Sequence, residues 1–429
     1  MGKPAGLTDR IIHLEEHGKF CEEDILCIRE MGISFKETGI KEKPLYLGIT
    51  PDMKASYYIG ADWLDEKKRL SVVVHPKKEM DNVDYFKMFM ACLENDLDSE
   101  YFSSIYDINC ERRYIACTDL RDQITPLMLI HYLTVLKRLI KRGLRRDYVL
   151  QEDNLQCKVK GRVLVSENLR ANVINRRLDR CYCSFHEYTV DSNENRLLKK
   201  ALLFTSRFIR KFSSHDSFAR LSSLTNSLLA QFENVGDEIE IYQIKRVASN
   251  RLFKDYNEAV SLAKQILRRF GYSIEKVNEK ESGTPVFWID MSRLYEVYVY
   301  GLLNKAYGRQ IVFQVPGYHK CAADFIKLDE KLIIDTKYKP QYEKGNPGII
   351  DDIRQVSAYA RDEKVISHFK PAPDESEVYP CLIIYPLKQD PDDVEVTSFK
   401  QEESLLVKAR KINGFKKFYK LGVRLPFKV

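Results

Sequence analysis

Apolar residues recur along this 429-residue chain in rhythms that change twice, and the changes divide it into three regions. Residues 1–110 carry short β-branched and apolar runs. Leu45-Tyr46-Leu47-Gly48-Ile49 and Leu70-Ser71-Val72-Val73-Val74 read as strands, and Asp81 to Leu97 as a helix. Residues 111–285 are dominated by helical spacing. Pro126 to Arg142 forms one helix and stops at Gly143, a residue suited to a helix C-terminus. Further helices are expected over Asn193 to Phe212, Ser217 to Phe232 and Leu252 to Phe270, with strand-like alternation at Cys157 to Leu169.

From Trp288 the order becomes helix, three strands, helix, strand. Ser292 is placed to cap a helix over Arg293 to Tyr307, which Gly308 ends. Ile311 to Val315 is a strand stopped by Pro316-Gly317. Ala322 to Leu328 and Lys331 to Tyr338 are strands joined by a tight turn at Asp329-Glu330. A loop with Gly345, Pro347 and Gly348 precedes a helix over Ile350 to Arg361, and Val378 to Tyr385 is a last apolar strand. The expected class is α/β in the C-terminal core and α+β overall. Three domains follow: a mixed one at 1–110, a mainly helical basic one at 111–285, and an α/β one at 286–429 with a basic tail. The chain shows no internal repeat and no low-complexity segment.

Composition narrows the choices without deciding them. Hydrophobic residues make up 44% and charged residues 31%, enough to bury a core, and no apolar run is long enough for a membrane span. With no apolar signal core after Met1, the expected location is the cytoplasm. The ten cysteines form no CxxC pair; Cys181 and Cys183 alternate on an apparent strand and suit core packing better than metal binding. The net charge of +7 is modest, but its distribution is uneven. Lys137 to Arg180 holds thirteen Lys/Arg against five Asp/Glu, and Lys408 to Val429 holds eight and no acid. Such clusters suit phosphate backbones as well as solvated faces. Arg145, Arg146, Lys416, Lys417 and Lys420 are the candidate DNA contacts within them.

The chemistry concentrates on two strands. Asp335 and Lys337 are two apart, so they share a face of their strand, and the run Leu332-Ile333-Ile334 before them marks that strand as buried on both faces. A carboxylate and an ammonium at its end are expensive to bury unless they serve each other or a metal. If the turn pairs the strands, Asp324 comes close to Asp335. Two aspartates offer the hard oxygen ligands that Mg²⁺ prefers, with Mn²⁺ as a substitute, and the carbonyl of Thr336 lies between them as a further ligand. Lys337 suits a water or a phosphate. Glu296 on the preceding helix is a further ligand or supporting group. Gln355 and Tyr359, one helical turn apart, can orient the lysine. Taken singly, each residue is an ordinary helix charge or surface pair; their order on helix, strand, strand, helix is what lifts the set above chance. His319 near the first strand reads as a loop or DNA-facing residue. Tyr295, Tyr298 and Tyr300 read as core, and Asp191, Asn193 and Asn195 as a cap for the helix that follows them.

Met291-Ser292-Arg293-Leu294-Tyr295-Glu296, Ala323-Asp324-Phe325, Ile334-Asp335-Thr336-Lys337-Tyr338-Lys339 and Asp352 to Ala360 together resemble the McrC family, the nuclease subunits of McrBC modification-dependent restriction systems. Lys141 to Tyr148, Lys160-Gly161-Arg162 and Asp191 to Lys199 are similar to the family's middle region. The likeness spans roughly residues 120 to 385. Gln355 and Tyr359 also resemble the QxxxY motif of RecB-like nucleases. The resemblance implies a PD-(D/E)xK restriction-endonuclease-like core between Trp288 and Leu387, with Ala323 where the motif's name has proline; proline there supplies no ligand. It also implies a Mg²⁺-dependent endonuclease that cuts double-stranded, modified DNA with a McrB-like AAA+ GTPase ring. The N-terminal part would contact that ring and stimulate its GTPase, and the nuclease domain would pair transiently to cut both strands. The chain has no G-x-x-x-x-G-K-[ST] loop, so no nucleotide is expected on this chain itself. Two other readings remain: a catalytically silent activator of an AAA+ partner, and a stand-alone repair or mobile-element nuclease.

Overall fold

Strand β1 (Arg10–Glu15) is the first element of the computed structural model, which describes residues 9–36, 44–80, 83–94, 101, 104–109, 112–117, 121–211, 216–241, 254–275, 284–318, 321–339, 349–369, 377–387, 399 and 403–426. After it come α1 (Glu22–Glu30), β2 (Tyr58–Asp65), β3 (Leu70–His75), α2 (Tyr85–Glu94) and β4 (Tyr106–Asn109). Next are α3 (Arg121–Lys141), β5 (Asp147–Gln156), β6 (Arg162–Val163), β7 (Arg180–Thr189), α4 (Asn193–Lys211), α5 (Asp216–Ala230) and α6 (Lys254–Glu275). The last part holds β8 (Val286–Asp290), α7 (Met291–Tyr307), β9 (Ile311–Pro316), β10 (Ala322–Lys327), β11 (Leu332–Thr336), α8 (Ile349–Tyr359), β12 (Cys381–Leu387), β13 (Arg410–Lys411) and β14 (Phe418–Arg424).

The chain divides into two units, residues 1–127 with 278–429, and residues 128–277. The first and third sequence regions therefore belong together, and the reason is visible in a sheet of order β1-β3-β2-β8-β4. Strand β8, from the C-terminal half, lies between β2 and β4, antiparallel to both. Gly60 on β2 makes the close approach possible. Its φ is +147°, and a Cβ there would run into the Phe287 carbonyl oxygen. Ile12, Val72, Val74 and Trp288 share one core on this sheet. All of β8 is buried, as a strand flanked on both edges requires.

Leu45–Gly48 is not the strand its apolar run suggests. It is a tight turn in which Tyr46 and Leu47 take positive φ (49° and 57°) and Gly48 follows at +62°. The turn drives Leu47 and Ile49 into the core and leaves Leu45 exposed. Helix α2 begins at Tyr85, four residues after the expected start; residues 81–82 and 95–97 lie outside the described residues.

A second sheet in the same unit has the order β13-β14-β12-β11-β10-β9. Strand β10 pairs antiparallel with both β9 and β11, while β11, β12 and β14 pair in parallel. The residues expected to be a basic tail supply β13 and β14, because Phe418, Leu421 and Val423 are buried between the lysines. Ile333, Ile383, Phe418, Ile353 and Val356 form a core on the face that α8 covers. Tyr300, Phe313 and Phe325 stack on the other, with centroids 4.5–6.1 Å apart. Helix α7 starts two residues before the expected position. Its cap is Asp290, whose side chain accepts from the Arg293 N–H at 3.0 Å, so Ser292 is already inside the helix.

The second unit is less helical than its spacing suggests. Long strands β5 and β7 pair over ten residues, and β6 adds to β7. Much of β5 and β7 is solvent-facing, so alternation between buried and polar positions is weak there, and the alternation at Cys157 to Leu169 yields only β6. Cys181 and Cys183 do share a face, packed with Leu155 and Phe185. Helix α3 ends near Gly143, whose N–H bonds the Ile140 carbonyl. The segment before α4 is stitched together. Asp191 grips the Arg196 guanidinium at 2.6 and 2.7 Å and also accepts from the Gly236 N–H, which holds its carboxyl below the usual range. Buried Asn195 donates to the carbonyls of Arg145 and Val190. The capping hydroxyl is that of Ser192, which accepts from the Asn195 N–H. Among the described residues no helix is long and apolar enough to cross a membrane.

Candidate active site

The site is set by the hairpin of β10 and β11. Its turn is pinned by Lys327, a buried lysine whose ammonium lies 2.7 Å from Asp329 and 2.6 Å from Glu330. The register pairs Phe325 with Ile334 and Ile326 with Ile333. Continued one step, it sets Asp324 opposite Asp335, on the face shared with Ile326 and Ile333. The two aspartates are thus on adjacent strands, as their spacing predicts.

Asp324 is half-buried, and one of its oxygens accepts both the Thr336 N–H at 2.7 Å and the Thr336 hydroxyl at 2.6 Å. Thr336 therefore orients a carboxylate through its N–H and hydroxyl, a role not anticipated for it. Asp335 is 2% exposed. Its Oδ2 lies 2.6 Å from the Lys337 ammonium as an ion pair and is otherwise a buried oxygen without a hydrogen-bond donor. Lys337 donates to Gln355 Oε1 at 3.0 Å, and the Gln355 amide donates in turn to the Tyr359 hydroxyl at 2.8 Å. One helical turn on α8 thus holds the lysine by a relay. Beside it, Asp352 takes the Lys339 ammonium at 2.8 and 2.9 Å, which ties the exit of β11 to the start of α8.

Glu296 on α7 is buried and accepts a hydrogen bond from the Gln314 amide. Gln314 and the Lys339–Asp352 pair escaped sequence reasoning. Gln314 takes positive φ in mid-strand, and no local pattern announces that.

Electrostatically the site holds an excess of negative charge. Burial pushes the Asp335 carboxyl up, and the charge of Asp324 adds to it, against the pull of Lys337. Burial also raises Asp324, opposed by the two Thr336 hydrogen bonds. Glu296 is pushed up strongly by burial and by Asp324. For Lys337 burial works against the charge, but Asp335, Asp324 and Asp352 together outweigh it, and its pKa rises. Carboxylates that resist ionising in each other's presence are the environment a divalent cation relieves. Among the described residues no three His, Cys, Asp or Glu side chains gather as a finished cage. The arrangement fits Mg²⁺, which keeps several waters and takes only one or two carboxylates. Asp324 and Asp335 would be the pair to hold it, with the Lys337 ammonium already 2.6 Å from Asp335 Oδ2.

The other expected residues are dispersed. Lys416 and Lys417 are exposed in the turn before β14. Lys420 lies over the Tyr385 ring, 5.8 Å from its centroid. Asp335 is registered beside Ile383 and Ile383 beside Lys420, so Lys420 shares the sheet face of Asp335 two strands away, about 10 Å on. Arg145, in the other unit, pairs with Asp147 at 2.9 Å, and Arg146 is exposed. His319 lies outside the described residues. Tyr295, Tyr298 and Tyr300 are packing residues: Tyr295 is fully buried, and the Tyr298 hydroxyl bonds the Arg424 carbonyl.

Among solved structures the chain is similar to a refined half-complex from a tetradecameric assembly of Thermococcus gammatolerans McrB AAA+ hexamers with bound McrC. Identity is 16%, over 97% of this chain and 95% of that chain, with a TM-score of 0.37. It is also similar to a cryo-EM structure of the Thermococcus gammatolerans McrBC complex, at 16% identity over 70% of this chain and 90% of that chain, with a TM-score of 0.30. No curated protein matches. The model of one protein family, the McrBC 5-methylcytosine restriction system component, matches residues 54–365, well over half the chain and inclusive of Asp324, Asp335, Lys337, Gln355 and Tyr359. The chain belongs to that McrBC family.

Proposed function

We propose that this chain is the McrC-type, DNA-cutting component of a McrBC system, a Mg²⁺-dependent endonuclease with a PD-(D/E)xK-like core between Trp288 and Leu387. One observation carries the reading: Asp324 and Asp335 lie on adjacent strands, with the buried Asp335 carboxylate 2.6 Å from the Lys337 ammonium. Bound there, the cation supplies a water of lowered pKa and positive charge against the phosphate. Asp324 is locked in place by Thr336, so its second oxygen is left for the metal. Lys337 keeps its proton, because three carboxylates hold it charged, and it can donate to a phosphoryl oxygen or to the attacking water. Gln355 and Tyr359 fix where that ammonium points. Glu296 is a supporting acid, held by Gln314.

The substrate we infer is double-stranded, modified DNA, a reading supported by the family's description as a 5-methylcytosine restriction system component. The partner is a McrB-like AAA+ GTPase ring, since this chain has no phosphate-binding loop of its own. Exposed Tyr148, Leu150 and Tyr188 on β5 and β7 support a protein-docking surface in the second unit. Cutting both strands requires two sites, and so transient pairing of two such cores.

The test combines the purified chain with its ring partner, GTP and methylated duplex. Asp335→Asn, which keeps the shape and removes the charge, should abolish cleavage while leaving GTPase stimulation and the unfolding midpoint unchanged. Lys337→Ala should do the same and spare metal binding. Gln355→Ala, which loosens the lysine, should cost about 10–100-fold. Full cleavage by Asp335→Asn would remove the nuclease reading and leave a silent activator of the ring.

A further inference from the structure

Strand β9 changes phase at one residue. Val312 packs against the core under α8, and Phe313 stacks on Tyr300 of α7 and on Phe325, with centroids 4.5 and 5.7 Å away. Strand side chains alternate, so Gln314 should return to the α8 face and Val315 to the α7 face. The reverse holds. The Gln314 amide donates to Glu296 on α7, and Val315 is buried in the core under α8. The cause is local: Gln314 takes a left-handed φ of 52°, which shifts the alternation by one residue. The ladder with β10 pairs Phe325 with Phe313 and Ala323 with Val315, and Gln314 and Asp324 fall opposite each other between these pairs. Glu296 and Tyr300 are one turn apart on α7, so one face of that helix engages Gln314 and Phe313 together. A left-handed φ is costly for a residue with a side chain. Glycine would take it freely but would bring no donor to the buried Glu296 carboxylate.

We propose that Gln314 is a positioning residue of the candidate metal site: its left-handed backbone, opposite Asp324 in the ladder, turns an amide donor onto Glu296 and holds that acid where it supports the bound divalent cation. This rests on the nuclease reading above and adds to it a residue that touches neither cation nor phosphate and acts through Glu296. The charge of Asp324 acts on Glu296, so the two acids belong to one site. A side-chain amide suits the task because it donates without a charge of its own. A lysine in its place would neutralise the acid and compete with the cation.

The test measures Mn²⁺ binding to the full chain by calorimetry, without DNA. Gln314→Gly keeps the left-handed backbone and removes the amide, and should weaken binding about 10–100-fold. Gln314→Asn, tolerant of the same backbone but one methylene short of Glu296, should lose binding alike. Wild-type affinity in both variants would overturn the proposal. Because Gln314 acts through Glu296, adding Gln314→Gly to Glu296→Gln should cost nothing further, whereas losses that multiply would mark an independent structural effect and overturn it. The kink has its own readout in urea. Gln314→Ala should unfold at a lower midpoint than Gln314→Gly, since alanine resists this φ, and equal midpoints would refute the left-handed strand. Asp335→Asn separates the two ideas. If it still cuts while Gln314→Gly loses Mn²⁺, the nuclease assignment fails and the positioning role stands. If it is dead and Gln314→Gly binds Mn²⁺ as the wild type does, the role fails and the assignment stands.

Discussion

Glu16 offers a quantitative test of how the first sheet is packed. It follows β1, is 4% exposed, and has one oxygen on the Lys77 N–H at 3.3 Å and the other without a donor. Burial, with a smaller push from Asp290 and against Lys77, raises its carboxyl from 4.5 to about 7. A group whose folded pKa lies above its unfolded value stabilises the fold only while protonated. The contribution is complete below 4.5 and is lost as pH rises through about 7. Full ionisation costs about 3 kcal/mol, of which about 2.5 falls between pH 5 and pH 8. Glu16→Gln keeps an acceptor for Lys77 but cannot ionise. Its unpaired amide adds about 1–3 kcal/mol of cost, and that cost does not vary with pH. The chain's two tryptophans, Trp63 and Trp288, both lie in this sheet, so their fluorescence in urea reports the unfolding of this unit. Between pH 5 and pH 8 the wild type should lose about 2.5 kcal/mol more than the variant. Parallel pH curves for the two proteins would refute the argument, because they would mean that Glu16 ionises in the fold as easily as in water.

Two further outcomes follow from the same sheet. Gly60→Ala places a methyl group against the Phe287 carbonyl at a φ that alanine avoids, so it should destabilise this unit by about 2–5 kcal/mol, read as a lower urea midpoint; a midpoint within error of wild type would mean that β8 can move aside. A fragment of residues 286–429 strips β8 of both neighbours and uncovers Phe287, Trp288 and Ile289, at roughly 1.5–3 kcal/mol each, so it should show no cooperative unfolding transition, whereas a sharp transition in the fragment would make the C-terminal part a separable module.

What the sequence made legible was local. Asp335 and Lys337 share a face because strands alternate, and Leu332-Ile333-Ile334 announces a strand with neighbours on both sides, as β11 has in β10 and β12. The turn at Asp329-Glu330 and the stops at Gly143 and Gly308 rest on single-residue backbone chemistry. Long-range pairing was not legible. Nothing in Val286-Phe287-Trp288-Ile289-Asp290 says that it joins a sheet begun at Arg10, so a domain boundary at 286 looked natural. Phe418, Leu421 and Val423 are separated by lysines, which made a strand resemble a charged tail. Glu16 shows the same limit from the other side: in the sequence it is one more surface acid, and in the fold it is buried against Tyr338 and Lys77.

The charges of the first unit are sorted by burial. Carboxylates gather in the interior: Asp324 and Asp335 beside Lys337, and Glu296 near Asp324, with ionisation of each opposed by burial. Lysines such as Lys416 and Lys417, before β14, stand outside, while the buried Lys327 is paired with Asp329 and Glu330. On the nuclease reading the two populations cannot exchange roles. An interior lysine cluster would bind phosphate tightly without activating water. An exterior carboxylate cluster would repel the duplex before any cation could screen it. The negative interior would then require a cation before phosphate can enter, which makes cleavage dependent on metal. On that reading Lys337, held charged by Asp335, Asp324 and Asp352, is the protein cation that meets the phosphate once the metal has offset the carboxylates.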